Sequence, residues 1–149
     1  MNMDAVKAAI KILRFRTYSR QELEQKLLKQ GYDEATVKDT LEYATKRGYL
    51  NDTALCNMLL AQYSENNKYS LKEIYLRLKR RGLPSNLINE KLSNWDADHE
   101  YHAALKLAVR YFDNNGLRDR HKIVRRLSNK GYNAATVRKV LEYLRDMSP

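Results

Sequence analysis

Glycine and proline are scarce in this chain of 149 residues, five and two in number, and cysteine occurs once. With so little turn-forming punctuation, and without runs of β-branched residues, helix is the default reading. The lone Cys56 excludes an internal disulfide and fits a reducing compartment; its apolar helical context, LCNMLLA, predicts a buried and inert thiol. No apolar run approaches the roughly 20 residues that span a bilayer. The N-terminal MNMDAVKAAIKIL places Lys7 and Lys11 where an export signal needs its apolar core. A cytoplasmic protein without a membrane role is the expectation.

What the chain has in excess is positive charge. It carries 28 Lys and Arg against 18 Asp and Glu, a formal net charge of +10. Its 43% hydrophobic and 31% charged content is that of a globular sequence. Such a balance favours an acidic partner, whether nucleic acid, an anionic membrane or a protein assembly that contains DNA. A basic helix lying on a membrane needs a bulky apolar face free of the core, and here the apolar stripes are committed to packing.

One pattern occurs three times. YSRQELEQKLLKQGY runs from Tyr18 to Tyr32, YSLKEIYLRLKRRGL from Tyr69 to Leu83, and RDRHKIVRRLSNKGY from Arg118 to Tyr132. In the first copy Ser19 and Glu22 form the S-x-x-E capping box that starts a helix. Leu23 and Leu27 follow at helical spacing, and Gly31 supplies the left-handed residue that stops it. Asp33 caps a second helix with inward Val37, Leu41 and Ala44, ending at Lys46, Arg47 and Gly48. In the second copy Ser70, Glu73, Ile74, Leu78, Gly82, Ile88 and Leu92 take these places. In the third they fall to Asp119, Ile123, Leu127, Gly131, Val137 and Leu141.

A further helical stretch precedes each pair, near residues 4–16, 52–65 and 97–112, with Asp52 as the expected N-cap of the second. Asn66-Asn67 and Asn114-Asn115-Gly116 mark the loops that follow the latter two. Tyr32, Leu83 and Tyr132 are the apolar residues that seal the glycine caps. The fold class is therefore all-α: three tandem three-helix repeats, residues 1–51, 52–96 and 97–149, forming an elongated, curved array. Repeats of that size bury little apolar surface alone and lean on their neighbours.

Helix, glycine turn, helix also suggests a DNA-reading helix-turn-helix. The first candidate recognition helix, DEATVKDTLEY, carries Asp33, Glu34, Asp39 and Glu42, which phosphates repel. Aligning the basic residues by repeat is more informative. Lys26, Arg77 and Arg126 share one position, and Lys29 and Arg80 another. Glu22 precedes Lys26 and Glu73 precedes Arg77 by four residues, the favourable order for an exposed helix pair. In the third repeat the matching residue is Lys122, so Lys122, Arg125 and Arg126 gather without that acid. Residues 118–130 hold six basic residues against Asp119, and residues 68–81 six against Glu73. Lys122, Arg125, Arg126 and Lys130 are the leading candidates for contact with an anionic partner, followed by Arg77, Arg80 and Arg81.

Enzyme motifs are missing. The five glycines are isolated, which rules out a glycine-rich phosphate loop, and no serine has a nucleophile-elbow context. His99-Glu100-Tyr101-His102 is not H-E-x-x-H, and Asp96, Asp98 and His121 are only neighbours in sequence. No enzyme, metal or cofactor is expected.

Several segments together resemble the RecX family of regulatory proteins across nearly the whole chain. They are Arg16 before Ser19-Arg20-Gln21-Glu22-Leu23, the junction Gly48-Tyr49-Leu50-Asn51-Asp52, and the step Lys79-Arg80-Arg81-Gly82. The resemblance implies the same three tandem three-helix repeats. It also implies a non-enzymatic cytoplasmic protein that lodges in the helical groove of the RecA recombinase filament. There it restrains filament growth, ATPase, strand exchange and coprotease activity, in DNA repair, recombination and SOS control, with some DNA binding of its own. Ala54-Leu55 stand where the family usually has arginine and phenylalanine. AQYSENNKYS at 61–70 replaces a segment richer in arginine and glycine. The expected partners are the RecA filament and DNA, single- or double-stranded, without sequence specificity, bound by a monomer. A stand-alone basic DNA-binding module, or a scaffold for another acidic protein, are the alternatives.

Overall fold

The structure is a computed structural model that describes residues 1–115 and 120–147. Those residues form nine α-helices and no strand. In chain order they are α1 (Met3–Leu13), α2 (Arg20–Lys29), α3 (Glu34–Lys46), α4 (Asp52–Asn66), α5 (Leu71–Arg80), α6 (Ser85–Ser93), α7 (Ala97–Asn115), α8 (Arg120–Asn129) and α9 (Ala134–Met147).

The helix starts follow from side-chain oxygens. Ser19 accepts from the Glu22 N–H at 3.1 Å while the Glu22 carboxylate accepts from the Ser19 N–H at 2.9 Å, a complete capping box. Asp33 Oδ1 accepts from the Thr36 N–H at 2.8 Å, and hydrogen bonding from the Thr36 side chain and then from this N–H holds the Asp33 carboxyl below its usual range. Ser70 and Asn133 do the same for α5 and α9. The cap expected at Asp119 lies outside the described residues. Asn51, not Asp52, caps α4, accepting from Ala54 N–H at 3.0 Å. Asp52 instead reaches back and accepts from the Arg20 N–H at 2.9 Å, because the exposed N–H groups of α2 need acceptors too.

The three glycine stops share one geometry. The Gly31, Gly82 and Gly131 N–H groups donate to the carbonyls of Leu28, Lys79 and Ser128. The next residues, Tyr32, Leu83 and Tyr132, donate to Leu27, Leu78 and Leu127. This double bond pattern is the Schellman motif, and Leu83 and Tyr132 are buried as its apolar seal. Asn67 carries the turn after α4 in the left-handed region at φ 48°. Asn114 and Asn115, expected in a loop, belong to the last turn of α7. The first helix ends at Leu13, earlier than its periodicity suggests.

The chain divides into two compact units. The first comprises Met1–Leu59 with Leu78–Ile88, the second Leu60–Arg77 with the chain from Asn89 onward. In the first, Ala9, Leu23, Leu27, Val37, Leu41 and Ala44 form the core, the stripes set by the 3.6-residue period. In the second the core is built from Ala103, Ala104 and Ala108 of α7, Ile123 and Leu127 of α8, and Val137, Val140 and Leu144 of α9. Leu141 is only half-buried, its inward place taken by Val140 and Leu144. The division into three repeats is our proposal from the sequence register. Cys56 is fully buried.

Candidate nucleic-acid interface

The basic residues found by aligning the repeats do not share one environment. Arg81, in the first unit, is a packing residue. Its Nε lies 3.1 Å from Glu22 Oε2 and its Nη2 donates to the Thr17 carbonyl at 2.9 Å. The same carboxylate meets Arg16 at 3.3 Å. Burial works to raise the Glu22 pKa, and is outweighed by the Arg81 hydrogen bond, the Ser19 N–H and the charges of Arg81 and Arg16. The carboxyl therefore stays below its ordinary value. Lys26, expected to pair with Glu22, lies instead over the Tyr18 ring with Nζ 5.3 Å from its centroid. Arg16 and Arg81 hold the carboxylate that the four-residue spacing assigned to Lys26.

In the second unit the expected spacing does operate. Arg77 Nε meets Glu73 Oε1 at 3.0 Å, one helical turn apart. The Arg77 guanidinium also covers the Tyr69 ring, with Cζ 4.0 Å from the centroid, and Tyr63 braces that ring edge-on at 5.5 Å. Lys122, Arg125 and Arg126 line the exposed side of α8, with Arg126 over Tyr111 at 5.2 Å. Arg80 is exposed at the end of α5.

Arg77 and Lys130 meet in an open cleft of about 490 Å³. Lys68, Lys106 and Arg110 line it with them, so five cations face one acid, Glu73, which Arg77 engages. Lys106 and Arg110 stand four apart on α7 and so share a face. That spacing was readable in the sequence, but nothing local ties α7 to residues 68–77 or to Lys130. Lys122, Arg125, Arg126, Arg80 and Arg81 lie outside the cleft lining.

The rims of the cleft are pinned through backbone oxygens. Ser70 Oγ donates to the Lys130 carbonyl at 2.8 Å, and the Tyr132 hydroxyl donates to the Lys68 carbonyl at 3.3 Å. Burial, then the nearby Glu100 charge, pushes the Tyr132 pKa up to about 12, so the hydroxyl keeps its proton. Glu100 is itself buried and accepts from the backbone N–H groups of Leu71 and Asn133. Its desolvation raises the carboxyl pKa against the pull of those two bonds. The His-Glu-Tyr-His stretch thus contributes a capping carboxylate for α5 and the start of α9. Nearby, His99 Nε2 lies 3.4 Å from Ser64 Oγ. No group of three metal-ligating side chains occurs among the described residues. No helix among them is long and apolar enough to cross a membrane.

A family model described as RecX, first three-helix domain, matches residues 5–43. Curated relatives match almost end to end. The regulatory protein RecX of Chlorobium limicola is 25% identical over 98% of this chain and 92% of its own. That of Chlorobaculum tepidum is 26% identical over 93% and 86%. Among solved structures, the crystal structure of RecX from Lactobacillus salivarius superposes with a TM-score of 0.87 over 97% of both chains, at 18% identity. A second crystal structure of regulatory protein RecX gives 0.83 over 94% of this chain and 72% of its own. The two structural matches carry the all-α fold, and the relatives carry the name of a regulatory protein.

Proposed function

We infer that this chain is a member of the RecX family of regulatory proteins, and from that premise we propose that it regulates RecA by binding the RecA–DNA filament in its helical groove. The observation that carries the DNA-facing part is the cleft of the second unit, where five cations face one engaged acid. A monomer in the cytoplasm, built of tandem helical repeats, bridges successive filament subunits. It hinders their exchange and shields the groove from a partner duplex or a cleavable substrate. Recombinase, ATPase and coprotease activities fall together because one obstruction serves all three, and no chemistry by the regulator is needed.

Lys122, Arg125 and Arg126 on α8, with Lys130, supply the attraction; Arg77 and Arg80 add to it. Arg81 adds only net charge, its guanidinium being held by Glu22 and Thr17. Contacts to phosphates carry no base information, so DNA enters without sequence preference. Co-sedimentation with RecA-coated DNA and with naked DNA, across a salt series, tests the reading. Much tighter association with the coated DNA supports it. Equal and steeply salt-dependent binding to both would mean a stand-alone DNA-binding module.

A further inference from the structure

We propose that the cleft of the second unit holds an unpaired nucleic-acid strand, with one base stacked on the Arg77 guanidinium and the phosphates along Lys68, Lys106, Arg110 and Lys130. The inference rests on the DNA-facing part of the proposed function and needs no RecA.

Charge alone would admit any polyanion. The planar group at the cleft wall is what selects. The Arg77 guanidinium stands over Tyr69 with Cζ 4.0 Å from the ring centroid, and Tyr63 packs edge-on against that ring. The Arg77 side chain is still 38% exposed. It also lines the cleft, so a ligand there can reach the side chain that Tyr69 holds. A guanidinium so held is a preformed platform for a π-face. A nucleobase supplies that face, whereas an acidic peptide supplies carboxylates without one. In a duplex the faces are stacked on each other and reach a side chain only after costly unstacking, so the unpaired strand is the ligand.

The cations are spaced for a chain rather than for one phosphate. Lys106 and Arg110 succeed each other along α7, and Lys68 and Lys130 stand on segments fastened by Tyr132 and Ser70. Because those two hydrogen bonds fix the backbone at both lysines, less ordering remains to be done on binding. The cleft is of a size for one nucleotide, about 490 Å³, and open, so the strand passes through it.

Fluorescence anisotropy with the full chain and a labelled 15-nucleotide oligothymidylate tests this. An abasic oligomer of the same length, a hairpin duplex and polyglutamate serve as competitors. We expect the strand to bind about tenfold tighter than the abasic oligomer, the gain of one stacked base. Arg77→Lys, which keeps the charge and loses the plane, should erase that difference. Lys106→Ala with Arg110→Ala should lower the salt slope by about 1.4, two contacts at about 0.7 each for a single strand.

Equal affinity for the natural and abasic strands overturns the stacking. Equal affinity for the duplex or for polyglutamate overturns the choice of ligand. A salt slope unchanged in the double variant overturns the cleft as the site. Retention of that variant on RecA-coated DNA alongside such a failure leaves the filament reading standing and removes only this inference.

Discussion

Ser70 Oγ donates a 2.8 Å hydrogen bond to the Lys130 carbonyl while accepting one of 3.1 Å from the Glu73 N–H. One fully buried hydroxyl therefore starts α5 and receives the end of α8. Replacing it with alanine removes a cap and leaves a carbonyl without its donor. We expect Ser70→Ala to cost about 2 kcal/mol in urea denaturation. Ser70→Asp restores the cap acceptor but sets a buried carboxylate against the Lys130 carbonyl, and should cost more than the alanine variant. Full recovery in the aspartate variant would show that the bond to Lys130 contributes nothing.

The glycine that follows Lys130 extends the same contact. A Cβ on Gly131 would stand 2.7 Å from Ser70 Oγ, and one on Gly82 would stand 2.9 Å from both Ser19 Oγ and Gln21 Cβ. A Cβ on Gly31 would meet nothing within 4 Å, although its φ of +96° equals that of Gly131. Gly31→Ala should then cost about 1 kcal/mol for the left-handed backbone alone. Gly131→Ala and Gly82→Ala should cost about 1 to 3 kcal/mol more, since the helix ends must separate. Equal losses in all three variants would remove the close approach as a reason for the last two glycines.

Those comparisons show what the sequence could convey. Caps, stripes and glycine stops depend on residues within about five positions of one another, so Ser19, Glu22, Leu23 and Gly31 were legible as a helix with its ends. Repeating the pattern made the all-α fold legible as well. The partners of the charges were not. Glu22 finds Arg81, 59 positions away, in preference to Lys26 at four. Glu100 sat in a His-Glu-Tyr-His stretch that matched no metal motif, and its capping role emerged only where α5 and α9 bring Leu71 and Asn133 to it. The cleft was hidden for the same reason: Lys106 and Arg110 sit in an ordinary amphipathic helix, and only tertiary packing sets them opposite Lys68, Arg77 and Lys130.

Glu100 and Glu22 should give the stability profile opposite slopes. Burial raises the Glu100 pKa above its ordinary 4.5, so the folded chain holds that proton to higher pH than the unfolded chain. Its contribution is complete below 4.5 and is lost as pH rises through the folded value. The Glu22 pKa is lowered from 4.5, so its contribution is present above 4.5 and is lost as pH falls through the folded value. We expect Glu100→Gln to flatten the decline on the alkaline side of that point, and Glu22→Gln to flatten the acid limb. Thermal melts between about pH 3 and 8 report both. An unaltered profile in Glu100→Gln would mean that its burial is fully offset by the two N–H groups.

Arg81 is a structural cation, and the α8 arginines are the ones we propose to meet the partner. The Arg81 side chain is 24% exposed and its partner Glu22 19%, so removing the guanidinium leaves a half-buried carboxylate without its main donor. Arg81→Ala should cost about 2 kcal/mol, and inhibition of RecA should fall only as far as the folded population does. Arg125 and Arg126 are exposed, and Arg126 touches Tyr111 at a distance where the attraction is weak. Reversing both to glutamate should cost less than about 1 kcal/mol in stability. If α8 is the attachment face we propose, the same double reversal should abolish inhibition of RecA's DNA-dependent ATPase, because repulsion would replace attraction there. Steady-state ATPase assays at matched folded protein decide the matter: inhibition that survives the double reversal unchanged removes α8 from the attachment face.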